Sequence, residues 1–266
     1  VTDKRILLLG AHGYIGQEVL TALRKERFEV SFFDRDATDS YEKVKKFCPN
    51  IVINLAASKG ADDFLASYEA NLFFQLRMLK FLSEEVDNHI CWIQVASYFE
   101  LQIEEGRKDF YEVHKATLRK ILEEKFFTNI RITTLFLPHI VSSKNTKSSL
   151  FTQIEKAVNG ENVKLLTSGD QIVPILHIDD CVSAIIKSVD AEQGPYFATP
   201  VWNDNLKNLL QALNKRLGVS FAFTAGAKSI DWNFKRIDFN PCVPDWAPKK
   251  NIETIFDELV KIKDRL

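Results

Sequence analysis

Ile6-Leu7-Leu8-Leu9-Gly10-Ala11-His12-Gly13-Tyr14-Ile15-Gly16 decides how the rest of the chain is read. The apolar run Ile6 to Leu9 has the pattern of a strand buried on both faces. Gly10, Gly13 and Gly16 follow at intervals of three, and Ile15, Val19 and Leu23 then share one face of a helix predicted over Tyr14 to Lys25. Strand, glycine turn and helix in that order are the context a dinucleotide fingerprint requires. Gly10 permits the tight turn, Gly13 removes a side chain where a pyrophosphate would approach, and Gly16 lets the helix lie close to the sheet. Phosphates would then meet the N–H groups around Tyr14 and Ile15 and the positive end of the helix dipole.

A second strand, Glu29 to Phe33, runs into Asp34, 18 residues after Gly16. A carboxylate there accepts hydrogen bonds from an adenosine ribose and disfavours a 2′-phosphate, whereas the adjacent Arg35 would accommodate one. On this balance NAD is favoured over NADP.

The 266 residues are 45% hydrophobic and 27% charged, enough apolar content for a sizeable core. With 35 basic against 36 acidic residues the chain has no broad basic field, which argues against nucleic acid as a partner. No apolar run reaches membrane-span length, and no leader-like segment precedes the first strand. Cys48, Cys91, Cys181 and Cys242 are far apart and lack metal-ligand spacing. They are expected to be reduced thiols of a cytoplasmic protein, three of them buried, with no metal site.

Further along, Tyr41 to Phe47 is a short helix candidate and Ile51 to Ala56 the third strand. A long helix is predicted over Asp62 to Val86, with Leu65, Leu72, Leu76, Leu79 and Leu82 inward. His89 to Ala96 reads as a strand, Phe110 to Glu124 as a helix bearing Val113, Leu118, Ile121 and Leu122, and Ile130 to Leu137 as a strand closed by Pro138. Such alternation predicts α/β architecture, a doubly wound parallel Rossmann sheet. Beyond it, Ser142 to Ser149 is a polar loop. A helix follows over Ser149 to Asn159, then strands over Val163 to Leu166 and Ile172 to Ile178, and a helix capped by Asp179 running to about Val189. Leu206 to Leu217 and Ile252 to Ile262 are amphipathic helices of a smaller mixed α/β C-terminal part that binds substrate. The expected division is residues 1–141, with 172–198 returning to them, against 142–171 and 199–266.

A fingerprint supplies a cofactor and no reaction, so the groups able to move a proton matter next. Tyrosine and lysine four apart share a helix face, and two such pairs occur. Tyr41 and Lys45 lie towards the adenine side and read as a solvated face. Tyr111 and Lys115 open the helix after the fourth strand, whose carboxyl end borders the nicotinamide half of the crevice, and Ser97 stands just past that strand. A free tyrosine titrates near ~10, and acid–base work at neutrality is served by an ammonium and an oxidised nicotinamide that lower it. Ser97 would hold the substrate oxygen, Tyr111 pass the proton and the nicotinamide carry hydride.

Together with Asn54-Leu55-Ala56-Ala57, Asn71, Leu176-His177-Ile178-Asp179-Asp180 and Trp246-Ala247-Pro248-Lys249, these residues resemble the extended short-chain dehydrogenase/reductase family, in particular its nucleotide-sugar enzymes. The resemblance covers nearly the whole chain. It implies that the glycines hold the pyrophosphate, Asp34 the ribose, and Leu55, Ala56, Ala57 and Asn71 the cofactor's surroundings. By the same resemblance Lys115 also bonds the nicotinamide ribose, and Pro138 passes beneath the nicotinamide. Tyr98, His139 and Arg236 join Ser97 at the substrate, Arg236 resembling the arginine that grips the diphosphate. The Asp-Glu pair that dehydratases of the family carry after their Ser or Thr is replaced by Tyr98-Phe99, which removes the acid–base pair of water elimination. The expectation is an NAD(P)-dependent 4-ketoreductase of a nucleotide-linked deoxysugar. Its alternatives are a 4-epimerase with tightly held NAD and a non-catalytic NAD(P)-binding regulator. Phe73, Phe74 and Phe81 exceed what one sheet face needs, and a homodimer through these helices is expected.

Overall fold

Ile6, Leu7, Leu8 and Leu9 are fully buried in β1 (Arg5–Leu9), where each side chain contributes roughly 1.5–3 kcal/mol by leaving water. The computed structural model describes residues 4–33, 39–58, 63–105, 110–142, 156, 159, 161–165, 168–218, 223–224 and 238–263. Asp34, Arg35 and Arg236, the loop after Ser142 and nearly all of the helix predicted over Ser149 to Asn159 lie outside them.

A six-stranded parallel sheet is ordered β2-β1-β3-β4-β5-β9. Its other members are β2 (Glu29–Phe32), β3 (Ile51–Asn54), β4 (Ile90–Ser97), β5 (Ile130–Leu137) and β9 (Gly194–Phe197). The chain leaves β1 for β2 on one side and crosses to β3 on the other. The order therefore reverses between β1 and β3, where doubly wound sheets open a ligand crevice at their carboxyl ends. Helix α1 (Tyr14–Lys25) buries Val19 and Leu23. Helix α2 (Ser40–Phe47) presents Val44 to a core shared with Leu79, Leu82, Trp92 and Leu118.

The run predicted as one helix over Asp62 to Val86 is broken. Asp63 caps α3 (Phe64–Tyr68) by accepting the N–H groups of Leu65 and Ala66, a π-helical turn covers Glu69–Phe73, and α4 (Phe74–Glu85) continues. The wide turn shifts the helical phase, so Leu72, Leu79 and Leu82 are buried while Leu65, expected inside, is 67% exposed. Phe74 belongs to the core, its ring 5.6 Å from that of Phe33, and Phe81 packs against Tyr41 at 4.8 Å. Of the surplus phenylalanines only Phe73 is exposed. In α5 (Phe110–Glu123) Leu118 and Leu122 are buried, and Val113 is exposed.

The chain divides into two compact units, one of Val1–Leu137, Val182–Phe197 and Asn240–Trp246, the other of Pro138–Cys181, Ala198–Phe239 and Ala247–Leu266. In the second unit β8 (Ile172–His177) lies between β6 (His139–Val141), parallel to it, and β10 (Trp202–Asn205), antiparallel. A short parallel pair joins β7 (Val163–Lys164) to β11 (Phe223–Thr224). Leu209, Leu210 and Leu213 of α7 (Leu206–Leu217) share a core with Ile255 and Phe256 of α8 (Ile252–Lys263).

Helix α6 (Ile178–Lys187) begins one residue before the expected cap, because the His177 ring Nδ1 accepts the Asp179 N–H at 3.1 Å. His177 Nε2 stands 2.8 Å from Glu258 Oε2, and the buried Asp180 carboxylate accepts the N–H groups of Lys249 and Lys250 at 2.9 and 3.0 Å. The His177-to-Asp180 stretch therefore pins the chain that leads into α8. All four cysteines are free thiols, two buried and two half-buried where three buried were expected. Among the described residues no helix is long and apolar enough to cross a membrane, and no cluster of His, Cys, Asp or Glu could hold a metal ion.

Candidate active site

The glycine turn is built by close approach. Gly10 has φ +81°, and a Cβ on it would lie 2.7 Å from the Ala56 nitrogen and the Leu55 carbonyl carbon, so the turn after β1 is pressed against the segment leaving β3. A Cβ on Gly16 would lie 2.1 Å from the Gly10 carbonyl oxygen, whereas on exposed Gly13 it would meet only that oxygen, at 3.3 Å. The N-cap of α1 is Gly13, which has no side chain to cap it, and the first turn carries no acidic residue. A helix N-terminus that opens on an exposed glycine, at the point where strand order reverses, fits a pyrophosphate.

Around this turn the sheet's carboxyl end is wired by buried amides. Asn54 donates to Gln94 Oε1 at 2.8 Å, Trp92 Nε1 donates to the same oxygen at 3.1 Å, and Asn54 Oδ1 accepts the Ala56 N–H at 3.1 Å. Gln94 in turn donates to the Val95 carbonyl at 3.2 Å. Buried Asn71, on the π turn, accepts the Ser58 N–H at 2.8 Å and donates to the Ser58 carbonyl at 3.0 Å and to Ser67 Oγ at 3.1 Å. It therefore acts on the segment after β3 by fixing its backbone. Ser67 Oγ lies 3.0 Å from His114 Nδ1, and burial lowers the pKa of that ring. Leu55 and Ala56 are half-buried and Ala57 is exposed.

Ser97, Tyr111 and Lys115 belong to the same unit. Lys115 is 6% exposed; its Nζ donates to the Val95 carbonyl at 3.0 Å and lies 5.8 Å from the centroid of the Tyr111 ring. Ser97 is half-buried at the end of β4, and its Oγ accepts the Phe99 N–H at 3.3 Å, which leaves its own proton to give. Tyr98 is buried and packed against Phe99, ring centroids 4.2 Å apart. Pro138 and His139 lie in the second unit, Pro138 buried and His139 half-buried where it opens β6.

The sequence did not single out Glu100. It lies in the 3₁₀ segment Tyr98–Glu105, is 2% exposed, accepts the Ser97 N–H on Oε1 at 2.7 Å, and holds the same oxygen 3.6 Å from Lys115 Nζ. Burial pushes its carboxyl above the usual carboxylate range, with the Lys115 ammonium the strongest pull the other way. Burial also works against the Lys115 charge, but the Coulombic pull of the Tyr111 phenolate oxygen and of the Glu100 carboxylate outweighs it and holds that pKa above an ordinary lysine's. The available signal was a lone acid inside Tyr98-Phe99-Glu100-Leu101, an apolar stretch just past a strand.

Fold and sequence motifs together define an extended short-chain dehydrogenase/reductase. The chain belongs to the NAD dependent epimerase/dehydratase family, which its residues 6–197 match. A CDP-abequose synthase of Yersinia pseudotuberculosis is 28% identical over 216 residues, 72% of this chain and 75% of the relative. The structure of RMD from Pseudomonas aeruginosa complexed with NADPH aligns at a TM-score of 0.79 and 14% identity, covering 99% of this chain and 100% of that one. A UDP-glucose 4-epimerase from Thermotoga maritima with UDP-glucose aligns at 0.77 and 14%, covering 98% and 99%. At such identities the two structures speak for the fold.

Proposed function

We propose that this chain is an NAD(P)-dependent reductase of a nucleotide-linked 4-keto sugar. The observation that carries the reading is the pairing of a buried lysine with a tyrosine one turn earlier, beside a serine at the end of β4, in the unit that bears the glycine turn. The similarity to a synthase of CDP-abequose supports a nucleotide-linked substrate. The glycine turn would hold the pyrophosphate, Leu55 to Ala57 would line the cofactor over a backbone fixed by Asn71, and Lys115 would bond the nicotinamide ribose. When bound, the cofactor supplies hydride to the sugar's carbonyl carbon. Ser97 Oγ donates a hydrogen bond to the carbonyl oxygen, and the Tyr111 hydroxyl delivers the proton that makes it an alcohol. Asp34 favours NAD at the ribose, Arg236 would grip the diphosphate, and Pro138, His139 and Tyr98 would shape the sugar pocket.

The test incubates the full chain with NADH or NADPH and nucleotide-linked 4-keto hexoses. Reduced cofactor should disappear in proportion to the alcohol formed, faster with NADH. Sugar inversion without net cofactor consumption would instead establish an epimerase, and cofactor binding without turnover of any sugar would establish a regulator.

A second copy of the chain is the proposed partner. Phe64 is 48% exposed and meets Phe110 edge-on at 5.4 Å, with Leu65, Phe73 and Val113 also exposed on α3, the π turn and α5. Burying such a face drives association. Light scattering should return twice the 30.5 kDa chain mass at micromolar concentration, and Leu65→Glu should return the monomer with an unchanged melting temperature. A monomeric parent would refute the pairing.

A further inference from the structure

At the amino end of the parallel sheet, opposite the glycine turn, β9 starts later than its neighbour. It joins β5 only at Thr133, which pairs with Gly194, whereas β5 already pairs with β4 from Ile130 onward. The chain leading into β9 is held there by the Glu192 carbonyl, which accepts the Thr133 hydroxyl at 3.2 Å. Beside the first residues of β4 and β5 a cleft of about 820 Å³ opens, within the size range of small-molecule sites. All of its lining belongs to the unit that carries the six-stranded sheet.

Four basic side chains line the cleft: Lys4, His89, Lys125 and Arg131. Lys4 is paired with Asp190, the one acid of the lining. Among the described residues no carboxylate lies within ion-pair distance of the other three, which reach the cleft from three places. His89 is exposed just before β4. Lys125 follows α5 with φ +55°, its backbone N–H bonded to the Leu122 carbonyl at 3.3 Å. Arg131, in β5, donates to the sulfur of buried Cys91, its register partner in β4, at 3.5 Å. Unpaired cations converging on a concave surface focus a positive potential, and a guanidinium beside an ammonium suits the oxygens of a phosphate. Aromatic surface adjoins them, since Phe127 lines the cleft and Phe126, on the Lys125 turn, is 69% exposed.

We propose that this cleft is a second ligand site, for a phosphate-bearing small molecule of about nucleotide size, with Arg131 and Lys125 on the phosphate and His89 alongside. The site lies at the other end of β1 from the glycine turn, so its ligand leaves the dinucleotide's place free.

The test uses the full chain with ¹³C-labelled histidine rings at constant ionic strength. The His89 resonance is identified by its loss in His89→Gln and followed as ADP or CDP is added. It should move and saturate by millimolar nucleotide. Adenosine, without a phosphate, should leave it in place, and inorganic phosphate, which fills little of the cleft, should act about tenfold more weakly. Lys125→Gln and Arg131→Gln, both at exposed positions, should each weaken the nucleotide response by about tenfold, the loss of one charged contact, with the melting temperature unchanged. His12, on the glycine turn, reports separately on nucleotide bound at the cofactor's place. A His89 resonance that neither nucleotide moves overturns the proposal, as does a response equal in the parent and both variants. Adenosine acting as strongly as ADP would remove the phosphate from the recognition, and inorganic phosphate acting as strongly would leave an adventitious ion only; either result also overturns it.

Discussion

Tyr111→Phe is expected to lower the rate of carbonyl reduction by about 10²–10⁴-fold, the range for losing a positioned general acid, while dinucleotide binding changes by less than about threefold. The asymmetry follows from what the substitution removes. The ring of Tyr111 is half-buried at the start of α5, and phenylalanine fills the same space, so neither the helix nor the Lys115 contact with the Val95 carbonyl is disturbed. The hydroxyl is lost, and with it the proton that the new alcohol needs; water is a poor substitute, because nothing holds it at the carbonyl oxygen. The split should appear as a fall in kcat with KM nearly constant, measured by loss of reduced-nicotinamide absorbance, alongside calorimetric titration of the cofactor. Equal turnover in the two proteins would remove Tyr111 from the chemistry and leave Glu100 and Lys115 as a structural ion pair.

How far these residues were visible in the sequence depends on how local their cause is. Ile6 to Gly16 is legible because strand, turn and helix each leave a pattern inside a few residues, and β5 is legible because Ile130 to Leu137 is rich in β-branched and large apolar residues with a proline at its end. Tyr111 and Lys115 are legible as a pair because a helix places residues four apart on one face. The π turn at Glu69–Phe73 was not: Leu65 and Leu72 match a single helical phase on paper, and one wide turn between them rotates Leu65 to the surface. Asp179 was read as a cap by its type, but the ring of His177 reaches its N–H first. Glu100 was invisible for a different reason. Its burial depends on a lysine 15 residues later on another element, and nothing within its own turn says that a carboxylate should face inward. The same holds for Asn54 and Gln94, polar residues in apolar strands that become intelligible only once β3 and β4 are side by side.

Gly16→Ala should cost both stability and cofactor affinity, where Gly13→Ala costs affinity alone. At Gly16 the added methyl would lie 2.1 Å from the Gly10 carbonyl oxygen, 2.9 Å from its carbon and 3.0 Å from the Ala11 carbonyl carbon, all backbone atoms that cannot swing aside. Helix α1 must draw back from β1, an overpacking cost of about 1–3 kcal/mol, or roughly 2–10 °C in melting temperature for a chain of this size. The displaced helix N-terminus would also carry away the N–H groups proposed to meet the pyrophosphate, so affinity should fall by about 10–100-fold. Gly13 has φ −71°, a value that any residue adopts, and its methyl would meet a single oxygen at 3.3 Å. Its melting temperature should stay within about 2 °C of the parent's, and any loss of affinity then reports on the ligand's own approach. Thermal melts and calorimetric titration of the two variants therefore separate the glycine that shapes the protein from the glycine that makes room for the cofactor. If Gly13→Ala bound NADH and NADPH as tightly as the parent, the pyrophosphate would not lie over this turn, and the cofactor reading would have to move elsewhere along the carboxyl ends of β1 and β3.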